Sequence, residues 1–171
     1  GAPLECLVNN AGIANPYAGK LEDLALGDWQ KWIDASLTAA FLVTRAALPL
    51  LRRAENASVT NISSTRAVMS EADTFAYAAA KGGMLALHKT IARAYAGEGI
   101  YSFAVTPGFT DTSMAGDYLE SRGGPGLLKD IPLGRVAEPE EIADIAVWCA
   151  LDAPPSMTGA TIDANGASYV R

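Results

Sequence analysis

Histidine, cysteine and positive charge are all scarce in this chain of 171 residues, and each scarcity closes off a class of function. His88 is the only histidine and Cys6 and Cys149 are the only cysteines, far apart in sequence, so no zinc site can be built from ligand spacing. Both cysteines lie in apolar settings (Glu-Cys-Leu-Val and Val-Trp-Cys-Ala). They read as buried, reduced small hydrophobes, which fits a cytoplasmic compartment. Basic residues number 13 against 19 acidic ones, a net charge of −6, which leaves neither a broad nucleic-acid face nor a polybasic membrane patch. No uninterrupted apolar run reaches the roughly 18 residues of a spanning helix, and no basic-then-apolar leader precedes the first residues. Neither a membrane span nor a signal peptide is expected. The chain begins Gly-Ala-Pro without Met, so its first residue need not be that of the natural gene product. What is abundant is apolar side chain, 50% of the total, enough for one domain over 1–171 to bury a core without disulfides or metal.

Short β-rich runs alternate with long helical patterns. Leu4 to Val8 reads as a strand cut off by Asn9-Asn10-Ala11-Gly12, and a loop through Asn15, Pro16 and Gly19 leads to Asp28, a plausible helix N-cap. From there Trp29, Trp32, Ile33, Leu37, Ala40, Phe41, Ala47, Leu48 and Leu51 recur at three- and four-residue steps, a long amphipathic helix. Ser58 to Ser63 predicts a second strand, Phe75 to Ala96 a second long helix, and Ile100 to Val105 a third strand closed by Thr106-Pro107-Gly108. The segment Ser113 to Pro132, with Tyr118, Leu119, Leu127 and Leu128 among glycines, reads as a mobile lid that shapes an apolar substrate contact. Pro139 opens a last helix with an acidic start, and Ala160 to Asp163 is a final short strand. Near-continuously apolar strands alternating with helices mean an α/β fold: a parallel sheet covered on both faces. Right-handed crossovers then gather Asn9 to Gly12, Ser63 to Ser64 and Pro107 to Thr112 at one sheet edge, where open α/β sheets bind ligands.

Tyr77 and Lys81 lie four apart near the start of a helix and share a face. A neighbouring ammonium favours the phenolate and is expected to pull the phenol down from its usual pKa near 10, making Tyr77 usable in acid–base work. Ser64, at the preceding strand exit, can reach the same spot and hold a carbonyl or alcohol oxygen. Each feature alone is ordinary helix surface or a strand-end cap.

Taken in order, Asn9-Asn10-Ala11-Gly12, Asn61-Ile62-Ser63-Ser64, Tyr77-Ala78-Ala79-Ala80-Lys81 and Pro107-Gly108 with Thr112 resemble the short-chain dehydrogenase/reductase family, in the branch that includes the 3-oxoacyl-acyl-carrier-protein reductases. The resemblance runs from about Leu4 to the C-terminus and includes Gly134-Arg135-Val136 with Pro139-Glu140-Glu141-Ile142-Ala143. It implies the C-terminal part of a doubly wound, Rossmann-type parallel sheet and NAD or NADP as cofactor. It further implies hydride transfer to or from a small-molecule carbonyl or secondary alcohol. Tyr77 would be the catalytic acid/base, Ser64 would orient the reacting oxygen, and Lys81 would bind the nicotinamide ribose and lower the tyrosine's pKa. Asn10, Ala11 and Gly12 match the loop beside the cofactor; Pro107, Gly108, Thr110 and Thr112 match the segment that contacts nicotinamide and carboxamide. In the family the two long helices build a tetramer interface, which implies a homo-oligomer, dimer or tetramer, here.

Two departures stand out. Where the family shows Asn in the long helix, holding a water beyond the lysine, this chain has Ser36-Leu37-Thr38-Ala39. Ser36 either keeps a shorter relay or bonds back to the carbonyl four residues earlier, and weaker proton transfer is expected if the relay matters. The glycine-rich turn that seats the pyrophosphate has no counterpart: no G-x-G-x-x-G follows a strand, and Gly123-Gly124-Pro125-Gly126 stands in the wrong setting. The residue that selects NAD or NADP is absent with it. At roughly 30 residues per βαβ unit, about three strands are missing, so these residues alone should bind the dinucleotide poorly. Leu4 to Val8 would then be an unprotected edge that self-associates or needs a partner strand. The rival to the redox reading is a shortened, non-catalytic protein acting as a binding or oligomeric interaction module. His88, Trp29, Trp32 and Trp148 are read as packing or interface residues, and Arg45, Arg52 and Arg53 as a solvated helix side.

Overall fold

Among the described residues four strands run parallel in the order β1-β2-β3-β4: β1 Cys6–Asn9, β2 Ala57–Ile62, β3 Ile100–Pro107 and β4 Thr161–Ala164. The computed structural model describes residues 2–13, 19–112 and 124–171. The expected loop residues Asn15 and Pro16, and residues 113–123 of the expected lid, lie outside the described residues. Register pairs Cys6 with Ser58, Ala57 with Ile100 and Ala104 with Thr161, so every strand ends at the same edge.

Among the described residues the α-helices are α1 Leu26–Ile33 and α2 Ala39–Leu51, joined without a break by a π-helical turn at Asp34–Thr38, then α3 Arg66–Met69, α4 Phe75–Tyr95 and α5 Pro139–Leu151. Sheet alternation decides what each helix covers. Val59 and Ile100 point to one face, against Ala47 and Leu51 of α2; Ile62 and Val105 point to the other, against Ile142, Ile145 and Ala146 of α5. All six residues of β2 are buried, as a central parallel strand requires. The expected two-sided cover is therefore present.

Local differences have local causes. The first long helix starts at Leu26 rather than at Asp28, because Ala25 takes the extended N-cap conformation and Asp28 falls in the first turn. The chain from Leu26 to Leu51 reaches the length and mean hydropathy (1.3) of a bilayer-crossing helix, although no uninterrupted apolar run announces it. Its inner face holds Trp32, Ser36, Ala40, Thr44, Ala47 and Leu51, while Phe41, Leu42, Val43 and Leu50 stay exposed outside. At α5 the sequence signal is complete: Pro139 occupies the first turn, and Glu138 and Glu141 form a reciprocal capping box. Gly99, at φ 75°, ends the turn after α4 in a left-handed conformation that a β-carbon disfavours.

Candidate active site

Buried amides hold the strand ends in place. Asn9 Nδ2 donates to Thr44 Oγ1 (3.0 Å) and to Asn61 Oδ1 (2.9 Å), which ties β1 to α2 and β2 just before Asn10-Ala11-Gly12 leave the sheet. Beyond β2 the pairing with β3 continues: Ser63 N–H donates to Val105 O (2.7 Å) and Thr65 N–H to Pro107 O (3.0 Å). Ser64 is thereby fixed at the edge, and its Oγ accepts the backbone N–H of Arg66 at 3.2 Å. On the third strand, a β-carbon at Gly108 would lie 2.9 Å from Asn165 Cβ, so only glycine lets this loop pass so close to the end of β4. A bridge between Thr110 and Ala137 holds the rest of the loop.

The first turns of α4 bring Tyr77 and Lys81 to these strand ends. Tyr77 lines the same cavity as Ser64, and its ring packs edge-on against Trp32 at 5.8 Å between centroids. Lys81 is 5% exposed; its Nζ donates to Ile62 O at 2.8 Å and lies 5.9 Å from the centre of the Tyr77 ring. A β-carbon on Gly12 would come within 3.6 Å of that Nζ and 3.4 Å of Ser36 Oγ, so the glycine keeps open a small space between the β1 loop, the π-helical turn and Lys81.

The electrostatics depart from the sequence expectation. Burial pushes the Tyr77 phenol up from its ordinary value, while the Ser64 hydrogen bond and the positive charge of Arg66 oppose that rise. Lys81 does not pull the phenol down. Its ammonium lies over the ring face and is committed to the Ile62 carbonyl, and burial lowers its own pKa to about 8. Ser36 also departs from one of its two readings. Fully buried in a widened turn, its Oγ has no hydrogen-bond partner among the described residues, and no bond back to the preceding turn forms.

One cavity of about 990 Å³ joins these groups. All ten residues singled out from the sequence line it: Asn10, Ala11, Gly12, Ser64, Tyr77, Lys81, Pro107, Gly108, Thr110 and Thr112. Sequence reasoning missed Arg66, Thr74 and Phe109 in its wall, and it read Trp32 as packing only. Trp32 carried no signal beyond its place on the apolar stripe; Arg66 carried one, a cation two residues beyond Ser64 in a polar loop. His88 is a packing residue: fully buried on α4, its Nδ1 is 3.2 Å from Ser102 Oγ, and burial lowers its pKa to about 4.

Comparison with known proteins gives one consistent match. A family profile described as enoyl-(acyl carrier protein) reductase matches residues 2–166. The chain is 36% identical to a 3-oxoacyl-[acyl-carrier-protein] reductase of Synechocystis over 164 residues, 95% of this chain and 64% of that protein. It is 33% identical to a short-chain type dehydrogenase/reductase of Sinorhizobium fredii, covering 96% of this chain and 65% of that protein. Among solved structures, a candidate 2-deoxy-D-gluconate 3-dehydrogenase of Agrobacterium tumefaciens with bound NADP superposes with a TM-score of 0.87 at 30% identity, over 95% of this chain and 66% of that one. The chain thus spans about 65% of the length of the curated relatives it matches.

Proposed function

Because the chain belongs to the short-chain dehydrogenase/reductase family, we propose that it carries the catalytic part of an oxidoreductase. The enzyme would move a hydride between NAD or NADP and a carbonyl/secondary-alcohol substrate. The observation that carries this reading is the meeting of Ser64, from the exit of β2, with Tyr77 and Lys81 of α4 on a single cavity.

The residues present fit the nicotinamide half of a dinucleotide. Lys81 Nζ stands at the cavity wall where Gly12 leaves room, and Thr110 and Thr112 line the same cavity. In this reading Lys81 and Tyr77 hold the ribose, Asn10, Ala11 and Gly12 flank it, and Pro107, Gly108, Thr110 and Thr112 face the nicotinamide ring and carboxamide. When bound, the dinucleotide supplies the hydride chemistry; the chain supplies alignment and a proton. No glycine-rich turn for the pyrophosphate stands in these 171 residues. Ser64 Oγ, pinned by the Arg66 N–H, orients the reacting oxygen, and Tyr77 Oη donates the proton to it in reduction and removes it in oxidation. A phenol pushed up by burial stays protonated at neutral pH, so the resting site is set for carbonyl reduction, and alcohol oxidation rises with pH.

The full-length protein is therefore expected to oxidise NADPH or NADH in the presence of a ketone, followed by the loss of reduced-nicotinamide absorbance. Absence of turnover across a ketone panel, together with no dinucleotide binding by titration, would leave the interaction-module reading instead.

The outward apolar residues Phe41, Leu42, Val43 and Leu50 support self-association as a dimer or tetramer. Sedimentation velocity is expected to give a species larger than the monomer, and Val43→Glu to shift it toward monomer; an unchanged monomeric boundary in the wild type would refute the interface. The two unpaired cysteines support a cytoplasmic location.

A further inference from the structure

Arg66 stands on the catalytic cavity beside the residues assigned to proton transfer, yet neither proton transfer nor the cofactor calls on its side chain. That side chain is only 13% exposed. Nη2 lies 2.6 Å from Glu71 Oε1, and the guanidinium carbon is 5.2 Å from the centre of the Phe109 ring. The backbone is bent to make this clamp. Ser70 adopts φ 50°, unusual for a residue with a β-carbon, and both its N–H and its hydroxyl donate to Arg66 O at 3.3 Å. Thr74 Oγ1 then closes the turn, accepting from Glu71 N–H at 3.1 Å and donating to Glu71 O at 2.9 Å. Strain of this kind persists where the surroundings over-determine it.

Glu71 does not line the cavity, whereas Arg66 does. Among the described residues the charged lining consists of Arg66 and Lys81, with no carboxylate. Lys81 is committed to the Ile62 carbonyl and the Tyr77 ring. That leaves Arg66 as the cation beside Ser64, held from behind by Glu71 and flattened against Phe109. Its own backbone N–H donates to the Ser64 hydroxyl, which places the residue that carries the guanidinium next to the reacting-oxygen site.

Resting on the redox reading above, we propose that Arg66 recognises the carboxylate of a keto-acid or hydroxy-acid substrate whose reacting oxygen lies between Ser64 and Tyr77. A planar guanidinium matches a carboxylate edge to edge. Among the described residues the wall carries no carboxylate to oppose an anion, and Trp32, Ile62 and Phe109 give it an apolar part that suits the carbon skeleton of an organic acid. The effect of Arg66 on the Tyr77 phenol shows that its charge is felt at the reacting position.

The test uses matched pairs, 4-oxopentanoate and 4-oxocyclohexanecarboxylate against their uncharged methyl esters, titrated onto the full-length protein with ligand-observed NMR. Wild type is expected to bind the acids at least about tenfold more tightly than the esters, a difference of about 1.4 kcal/mol, and to lose that preference at high salt. Arg66→Gln is expected to abolish the preference, and Arg66→Lys to keep part of it. Equal binding of acid and ester by wild type, no binding of the acids, or a preference that survives in Arg66→Gln would each overturn the proposal. Should Arg66→Gln fail to fold, Arg66→Lys decides: a reduced preference supports the proposal, and an undiminished one overturns it by assigning the carboxylate to Lys81. Ketone-dependent dinucleotide oxidation is measured in parallel. Turnover without acid preference refutes the anion role and leaves the redox reading standing, whereas acid preference without turnover does the reverse.

Discussion

Tyr77→Phe is expected to lower kcat by two to four orders of magnitude, about 3–5 kcal/mol of transition-state stabilisation, which is the usual worth of a positioned general acid–base. The phenyl ring keeps the edge-on packing against Trp32 at 5.8 Å, so the variant should fold, and of the dinucleotide contacts it gives up only the one the hydroxyl makes to the ribose. The proton is lost while the scaffold remains. Steady-state kinetics in both directions checks this, and the pH profile adds a second readout. In the wild type, alcohol oxidation climbs with pH because burial holds the phenol above its ordinary value; in the variant that dependence should vanish. A Tyr77→Phe protein with full turnover would remove Tyr77 from the chemistry.

The second large effect has opposite signs for stability and activity. Lys81 is buried with a pKa lowered from 10.5 to about 8 by desolvation. A base with a depressed folded pKa binds fewer protons when folded than when unfolded between those two values, so stability rises with pH from about 8 to 10.5. At neutral pH the whole cost is present, about 3 kcal/mol at 1.36 kcal/mol per pKa unit. Lys81→Met removes the buried charge but leaves the Ile62 carbonyl, accepted from at 2.8 Å in the wild type, without its donor, which costs about 1–2 kcal/mol. The variant is expected to be more stable at pH 7 by about 1–2 kcal/mol in urea unfolding and to lose that advantage by about pH 10.5, while catalysis collapses. Equal or lower stability at pH 7 would mean that the ammonium is not held at a cost. A residue that destabilises the fold at working pH and lines the catalytic cavity is a mark of function rather than of packing.

Much of the architecture was legible because it rests on short-range rules. Apolar spacing predicts a helix over Phe75 to Ala96, and the helix runs Phe75–Tyr95; it predicts a strand over Ser58 to Ser63, and the strand runs Ala57–Ile62. Apolar periodicity and breakers set such bounds within a residue or two. The π-helical turn at Asp34–Thr38 was not legible, because its residues have the same apolar spacing as an ordinary helix and the widening depends on what packs beneath it. Arg66 was overlooked for a related reason. Its partners, Glu71 and Phe109, come from a strained turn and from the loop that follows the third strand, and no local pattern brings them together.

Residue order alone determined that strands and helices alternate, that the strands are apolar enough to lie parallel inside, and that Ser64, Tyr77 and Lys81 belong to neighbouring elements. These are consequences of periodicity and composition, which act along the chain. Tertiary packing decided how the charges behave. Lys81 faces a backbone carbonyl rather than the phenol oxygen, burial rather than a neighbouring ammonium governs Tyr77, and Arg66 joins the cavity wall. A pKa depends on solvent access and on distances across the fold, and neither is encoded in spacing along a helix.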